Sequence, residues 1–455
     1  MPPGPFDRRT RRSRCTRCAQ SHTKCSGHHP CTRCQARGIL CVFPSPVTTE
    51  TTIVLHTGRH LTPATYGLPS HKSPLPRMPS PTEPTETYLR CFDTFIQRNS
   101  FTGGDPSFLA DVQSLAKTSS PSSPSSPSSS THLMNAMLAL GAMQAHALDP
   151  DRPRAALHFA LDAYARSISD LRTAVAEAPA PHAGILWSTF FLGLFELMQD
   201  PSGQRWLQHM VFGTSRALTA IGPARIRSGP LRTFFTQVRA FEVCRSIIFN
   251  DASFLATPEW VDAVRDMGER QLPEEILEIV ALCAGLRART ETMIESLETP
   301  SEGPAMLLPL AQSIALEGFQ LRATLDDWAI AATLIPHQSP EMLLATAYHA
   351  AASIHLSGNF DYELQHWLEM GMEVPVLAPA DVLIYFDTII RSTRLSLKAT
   401  SLSAVLFLFP LRVAGARAHT KSQQNAVAEL LEEVKERFIV GDAILSNLRE
   451  LWAFR

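Results

Sequence analysis

Six of the nine cysteines in this 455-residue chain fall within residues 15–41, spaced C-x2-C-x6-C-x5-C-x2-C-x6-C. The unit C-x2-C-x6-C is therefore used twice. Neither half carries enough large apolar side chains for a core, so covalent or metal crosslinks must hold the segment. A disulfide framework is one reading, but tight C-x2-C pairs in an intracellular chain argue against it. Zinc is the other, because a C-x2-C pair places two sulfurs on one tetrahedral ion. One tetrahedral site would leave two cysteines over, and two separate sites would need eight. Six thiolates serve two ions only if two sulfurs bridge.

Charge separates this segment from the rest. Residues 1–49 hold nine Lys or Arg against one acid, Asp7, for a net of +8. The remainder holds 32 basic and 42 acidic residues, or −10, which the overall charge of −2 conceals. A basic head on an acidic body is the footprint of a polyanion-binding module joined to something else. "MPPGPFDRRTRRSR" has no apolar segment and is not read as a secretory signal. "GILWSTFFLGLF" and "LSAVLFLFPL" are too short to span a bilayer. The chain is expected to be intracellular, with no membrane partner.

The cysteine pattern resembles that of the fungal binuclear zinc cluster transcription factors, with Pro30 before the fourth cysteine as in the family. The resemblance implies two Zn²⁺ held by Cys15, Cys18, Cys25, Cys31, Cys34 and Cys41. Cys15 and Cys31 would bridge, Cys18 and Cys25 would complete one site, and Cys34 and Cys41 the other. Surrounding Arg and Lys would balance the anionic cluster, and without metal the module is not expected to fold. His28 and His29 are read as exposed loop residues.

In the family, the helix after the second cysteine enters the major groove of double-stranded DNA and reads a CGG-type triplet. The candidate DNA-contacting residues here are Arg14, Arg17, Ser21, His22, Lys24, Arg33 and Arg37. Only Lys24 matches the usual basic reading position, because Ser21 and His22 stand where the family often has lysines. A histidine can still donate to guanine. The basic arm, residues 1–14, doubles as a candidate nuclear import signal through "RRTRR", which implies a nuclear location.

The remaining domains follow from composition. The zinc module is assigned to 15–44 and a Pro/Ser/Thr-rich linker to 45–84. Residues 85–455 are expected to form an all-α body of packed antiparallel helices. Helical periodicity starts at "TYLRCFDTFIQR" and recurs over 133–148, 152–177, 182–199, 203–221, 230–249, 272–298, 304–334, 339–356, 380–415 and 423–453. The tract "TSSPSSPSSPSSST" at 118–131 is a low-complexity insertion whose Ser-Pro steps are candidate phosphorylation sites, with an inert loop the preferred reading. No sustained heptad follows the cluster, so a homodimer has no coiled coil to support it.

"LFELMQDPSGQRWLQHMVFGTSRALTAIGP" resembles a stretch of the family's helical middle domain, with Trp206, His209, Gly222 and Pro223 as its markers and Gly213 one residue off register. Trp206 and His209 lie one helical turn apart and are read as core residues. Cys91, Cys244 and Cys283 are read as small buried hydrophobes, with a redox sensor as the minority view. No catalytic signature is present, and the chain is not expected to be an enzyme. The leading reading is a DNA-binding transcription regulator that engages transcription machinery or co-regulators, and the resemblance implies a secondary-metabolite gene cluster as its target set. A metal-buffering or redox-sensing protein is the alternative. It would need thiols but no basic frame.

Overall fold

The computed structural model describes residues 34, 35, 37, 82–98, 106–117, 131–148, 154–178, 181–268, 270–297, 304–335, 339–399 and 404–454. The chain divides into two units, Met1–Ser80 and Pro81–Arg455. Of the described residues 86% are helical, and no strand occurs among them. The second unit is the expected all-α body.

Its helices are α1 (Thr82–Arg98), α2 (Pro106–Lys117), α3 (Thr131–Leu148), α4 (Ala155–Glu177), α5 (Ala183–Gln199), α6 (Gln204–Gln208) and α7 (Arg216–Ile221). There follow α8 (Gly229–Ile248), α9 (Pro258–Arg265), α10 (Leu272–Leu297), α11 (Pro304–Thr333) and α12 (Pro340–Asp361). The chain ends with α13 (Leu364–Glu369), α14 (Pro379–Ala399), α15 (Leu408–Ala416), α16 (Lys421–Lys435) and α17 (Gly441–Ala453). Ser339 caps α12, its side chain accepting from the Met342 N–H, with Pro340 at the first position. Thr420 and Gln423 form a reciprocal capping box on α16.

Two helices are buried on all sides and organise the body. Along α5 every residue from Ala183 to Met198 is buried, as a helix that is apolar all round requires. Trp187 lies edge-on to Phe234 of α8 at 4.8 Å and stacks on Phe191 at 5.2 Å, and Phe92 of α1 meets Phe191 at 4.9 Å. The second hub, α12, packs against α10, α11, α14 and α15. Its Tyr348 meets Phe409 at 5.1 Å, and its His349 lies under Trp328 at 5.0 Å. Around α5, helix α3 packs on α1, α4 and α5 itself. Gly141 permits the α1–α3 approach, because an added Cβ would run into the Tyr88 carbonyl.

Several boundaries differ from the periodicity. The expected 380–415 helix stops at Ala399 and resumes through a 3-10 turn at Ala404–Phe407 into α15. Pro410 falls in the first turn of α15, where no N–H is needed. The 423–453 segment breaks between α16 and α17, where Phe438 and Val440 turn inward. The helices α2, α9 and α13 went unread; α9 and α13 hold too few turns for a period to emerge. Helix α1 begins at Thr82, inside the end of the stretch read as linker. The Ser/Pro tract lies outside the described residues up to its last residue, Thr131, which opens α3.

Candidate functional site

Of the thirteen candidate metal and DNA residues, the structure describes two. Cys34 is buried at 4% exposure. Its carbonyl accepts from the Arg37 N–H at 3.2 Å, closing a single turn just after the second C-x2-C pair. Gln35 and Arg37 are exposed on that turn. A buried cysteine and an exposed arginine on one turn are compatible with a thiolate ligand inside a basic shell. Cys15, Cys18, Cys25, Cys31, Cys41, Arg14, Arg17, Ser21, His22, Lys24 and Arg33 lie outside the described residues, as do His28 and His29. Six soft sulfur donors in paired C-x2-C spacing suit zinc. Among the described residues no cluster of three His, Cys, Asp or Glu could hold a metal ion.

In the body, the Trp206/His209 pair sits where α6 runs into a π-helical turn, His209–Ser215. Trp206 is 4% exposed and packs on Phe249. Its indole N–H is buried with no hydrogen-bond partner among the described residues. The His209 Nε2 lies 3.5 Å from the Tyr164 hydroxyl, which donates to Glu196 Oε1 at 2.5 Å. Arg205 stands 3.6 Å from the other Glu196 oxygen. Burial pushes the His209 pKa down to about 4 and raises those of Glu196 and Tyr164. These groups tie α4, α5 and the π turn together, in accord with the core reading of the pair. Glu196 was legible as the one charged residue in an otherwise apolar run, but its partner Tyr164 was not.

A second buried polar network went unread. Arg245 donates to both oxygens of Glu242 at 2.9 and 2.8 Å and to Asp251 at 2.9 Å. Glu242 also accepts from Ser215 at 2.7 Å and from Ser253 at 2.9 Å. The carboxylates hold the Arg245 pKa up against desolvation. The pair lies i,i+3 on α8, inside a segment whose apolar pattern alone stood out.

Burial pushes the thiols of Cys244 and Cys283 up to about 12. Both are protonated at neutral pH, which favours the packing reading for these two over a redox sensor, whereas Cys91, read the same way, is only half-buried. The acid–aliphatic stretch "LPEEILEIVAL" lies on α10, and "NAVAELLEEVKERF" lies on α16 up to Lys435 and in the turn after it. Their Ile276, Leu277, Val427 and Leu431 are buried, as in amphipathic core helices. No described helix is long and apolar enough to cross a membrane.

Two family profiles match the chain. Residues 88–455 match the fungal specific transcription factor domain, and residues 14–50 match the fungal Zn(2)-Cys(6) binuclear cluster domain. Both are transcription factor domains, not enzymes. No curated protein and no solved structure matches the chain.

Proposed function

This chain belongs to the fungal-specific transcription factor family with a Zn(2)-Cys(6) binuclear cluster, and from that premise we propose how its head meets DNA. The chain is a zinc-binding, DNA-binding transcription regulator. Its two Zn²⁺ are held by Cys15, Cys18, Cys25, Cys31, Cys34 and Cys41, with Cys15 and Cys31 bridging. Ser21, His22 and Lys24 face base edges in the major groove. Arg14, Arg17, Arg33 and Arg37 contact phosphates. The regulator works in the nucleus. Its target set is a secondary-metabolite gene cluster, and its helical body engages co-regulators.

The observation that carries this reading is the six-cysteine spacing inside residues 14–50. The buried Cys34 beside the exposed Arg37 supports it. When bound, the two ions supply the framework that substitutes for a core. The chain's own residues supply the charge that meets the phosphates and the groups that read the bases.

The test is binding-site selection on random duplex DNA with the zinc-loaded chain. A recurrent motif whose recovery falls steeply with salt is the expected result. Recovery of unselected sequence at every salt concentration would remove sequence-specific binding and leave the thiolate-buffer reading.

A further inference from the structure

The sequence offers no coiled coil for pairing two chains, yet one exposed helix face in the body is complementary to itself. On α14, Phe386, Ile389 and Ile390 are buried and the helix packs on α12. The opposite face exposes Ile384 at 61% and Leu395 at 49%, flanked by Leu383 at 47%. Between them stand the exposed Asp387 and Arg391. Residues 384, 387, 391 and 395 recur at three- and four-residue steps and so share one stripe. Scattered surface leucines would mean little alone. The order along the stripe is what is informative: apolar, acidic, basic, apolar.

We propose that this face of α14 is the contact between two copies of the chain, packed antiparallel about a two-fold axis passing between Asp387 and Arg391. In that register Ile384 and Leu383 of each copy cover Leu395 of the other. Asp387 of each copy meets Arg391 of the other, twice by symmetry. A two-fold contact requires a self-complementary patch of this kind. A parallel arrangement would set Asp387 against Asp387 and Arg391 against Arg391, so charge selects the antiparallel one. Among the described residues neither Asp387 nor Arg391 is in an ion pair, although they stand i,i+4 on their helix, so both are available to a second copy. Arg394 beside them is turned toward Glu429 at 3.8 Å.

The neighbouring surface gives a contrast. Glu429, Glu432, Glu433 and Glu436 of α16 line a recess, where Arg394 stands by Glu429 and both Lys435 and Arg449 pair with Glu432. Two of those carboxylates are thus already engaged, whereas Asp387 and Arg391 of α14 are in no ion pair among the described residues.

The experiment is sedimentation velocity of the zinc-loaded full chain over a wide concentration range, with far-UV circular dichroism confirming that each exposed-site variant stays folded. The wild type should show a concentration-dependent monomer–dimer equilibrium that weakens with salt. Asp387→Arg and Arg391→Asp should each turn both ion pairs into repulsions and weaken the dimer by roughly ten- to a hundredfold. The double variant D387R/R391D regenerates opposite charges across the two-fold and should restore the wild-type equilibrium. A chain that stays monomeric throughout would overturn the proposal and leave the face to a different partner or to none. A dimer indifferent to the single reversals would place pairing elsewhere and overturn it as well. Failure of the double variant to recover would rule out the antiparallel register.

Discussion

The two ends of this chain solve the same problem by opposite means. The body gathers apolar side chains around α5 and α12, so that Trp187, Phe191, Phe234 and Tyr348 are almost wholly excluded from water. The head has six thiols in 27 residues and no comparable set of large apolar groups. One part is held by area removed from water, the other by metal–sulfur bonds in the proposed cluster. Such parts should fail independently and under different stresses.

The largest effect expected from that contrast is on metal. Chelation, or Cys31→Ala, should remove DNA binding altogether and drop the zinc content from two ions per chain to none, because the altered sulfur is proposed to bridge both. The thermal unfolding of the body, followed at 222 nm, should be unchanged. A shared loss of both signals would mean that the two parts fold as one.

Glu242→Ala is the reverse experiment. It leaves Arg245 buried beside an empty position and strips acceptors from Ser215 and Ser253. Breaking a buried pair of this kind costs about 3–5 kcal/mol. Chemical denaturation should register that loss while zinc stoichiometry stays at the wild-type value. An effect below about 1 kcal/mol would show that relaxation or water replaces the network.

Acid should act on the body through histidines. His209 and His349 titrate at about 4 in the fold because they are buried, against about 6.5 in an unfolded chain. Their folded values are depressed and the groups are bases, so the neutral forms belong to the folded state. That contribution is complete above pH 6.5 and is lost as pH falls toward 4, at roughly 1.4 kcal/mol per pH unit for each histidine. Replacing His209 with Gln should flatten the slope of body stability between those limits. An unaltered slope would place the acid sensitivity elsewhere.

The smallest and most selective effect belongs to the head. His22→Ala should relax preference at one or two base positions, by ~1–3 kcal/mol of discrimination, and leave nonspecific affinity nearly intact. Arg17→Ala should weaken binding to all sequences and lower the salt slope by about one unit. Superimposable selected-site profiles for wild type and His22→Ala would pass base reading to Ser21 or Lys24.

The contrast also governs what the sequence disclosed. Metal ligands must sit at fixed intervals along the chain, so the candidate cluster is written openly from Cys15 to Cys41. The long helices of the body were legible for a similar reason, since a buried stripe repeats every three or four residues. What stayed hidden depends on contacts between distant segments. Tyr164 and Glu196 are 32 residues apart, and Thr290 and Asn359 are 69 apart. Nothing local marks either pair. The end of α14 at Ala399 was missed for another reason: the apolar positions on either side read as one period, and the polar run Thr400, Ser401 and Ser403 between them was passed over.

The π turn at His209–Ser215 has a further consequence. There the Arg216 N–H reaches back five residues to the Val211 carbonyl, and the Ser215 hydroxyl reaches back five to Met210. A helix that takes in one surplus residue in this widened loop does not rotate whatever follows it by the hundred degrees an ordinary insertion would impose. Trp206 before the turn and Leu218 after it both keep their faces inward, and Gly213 slides against Thr189 where any side chain would collide. Gly213 is thus accommodated within a single coil of backbone. By this logic the chain's length is adjustable at this point: removing one residue here should tighten the coil to an ordinary turn, whereas the same deletion in the middle of α5 would throw a whole buried face toward water.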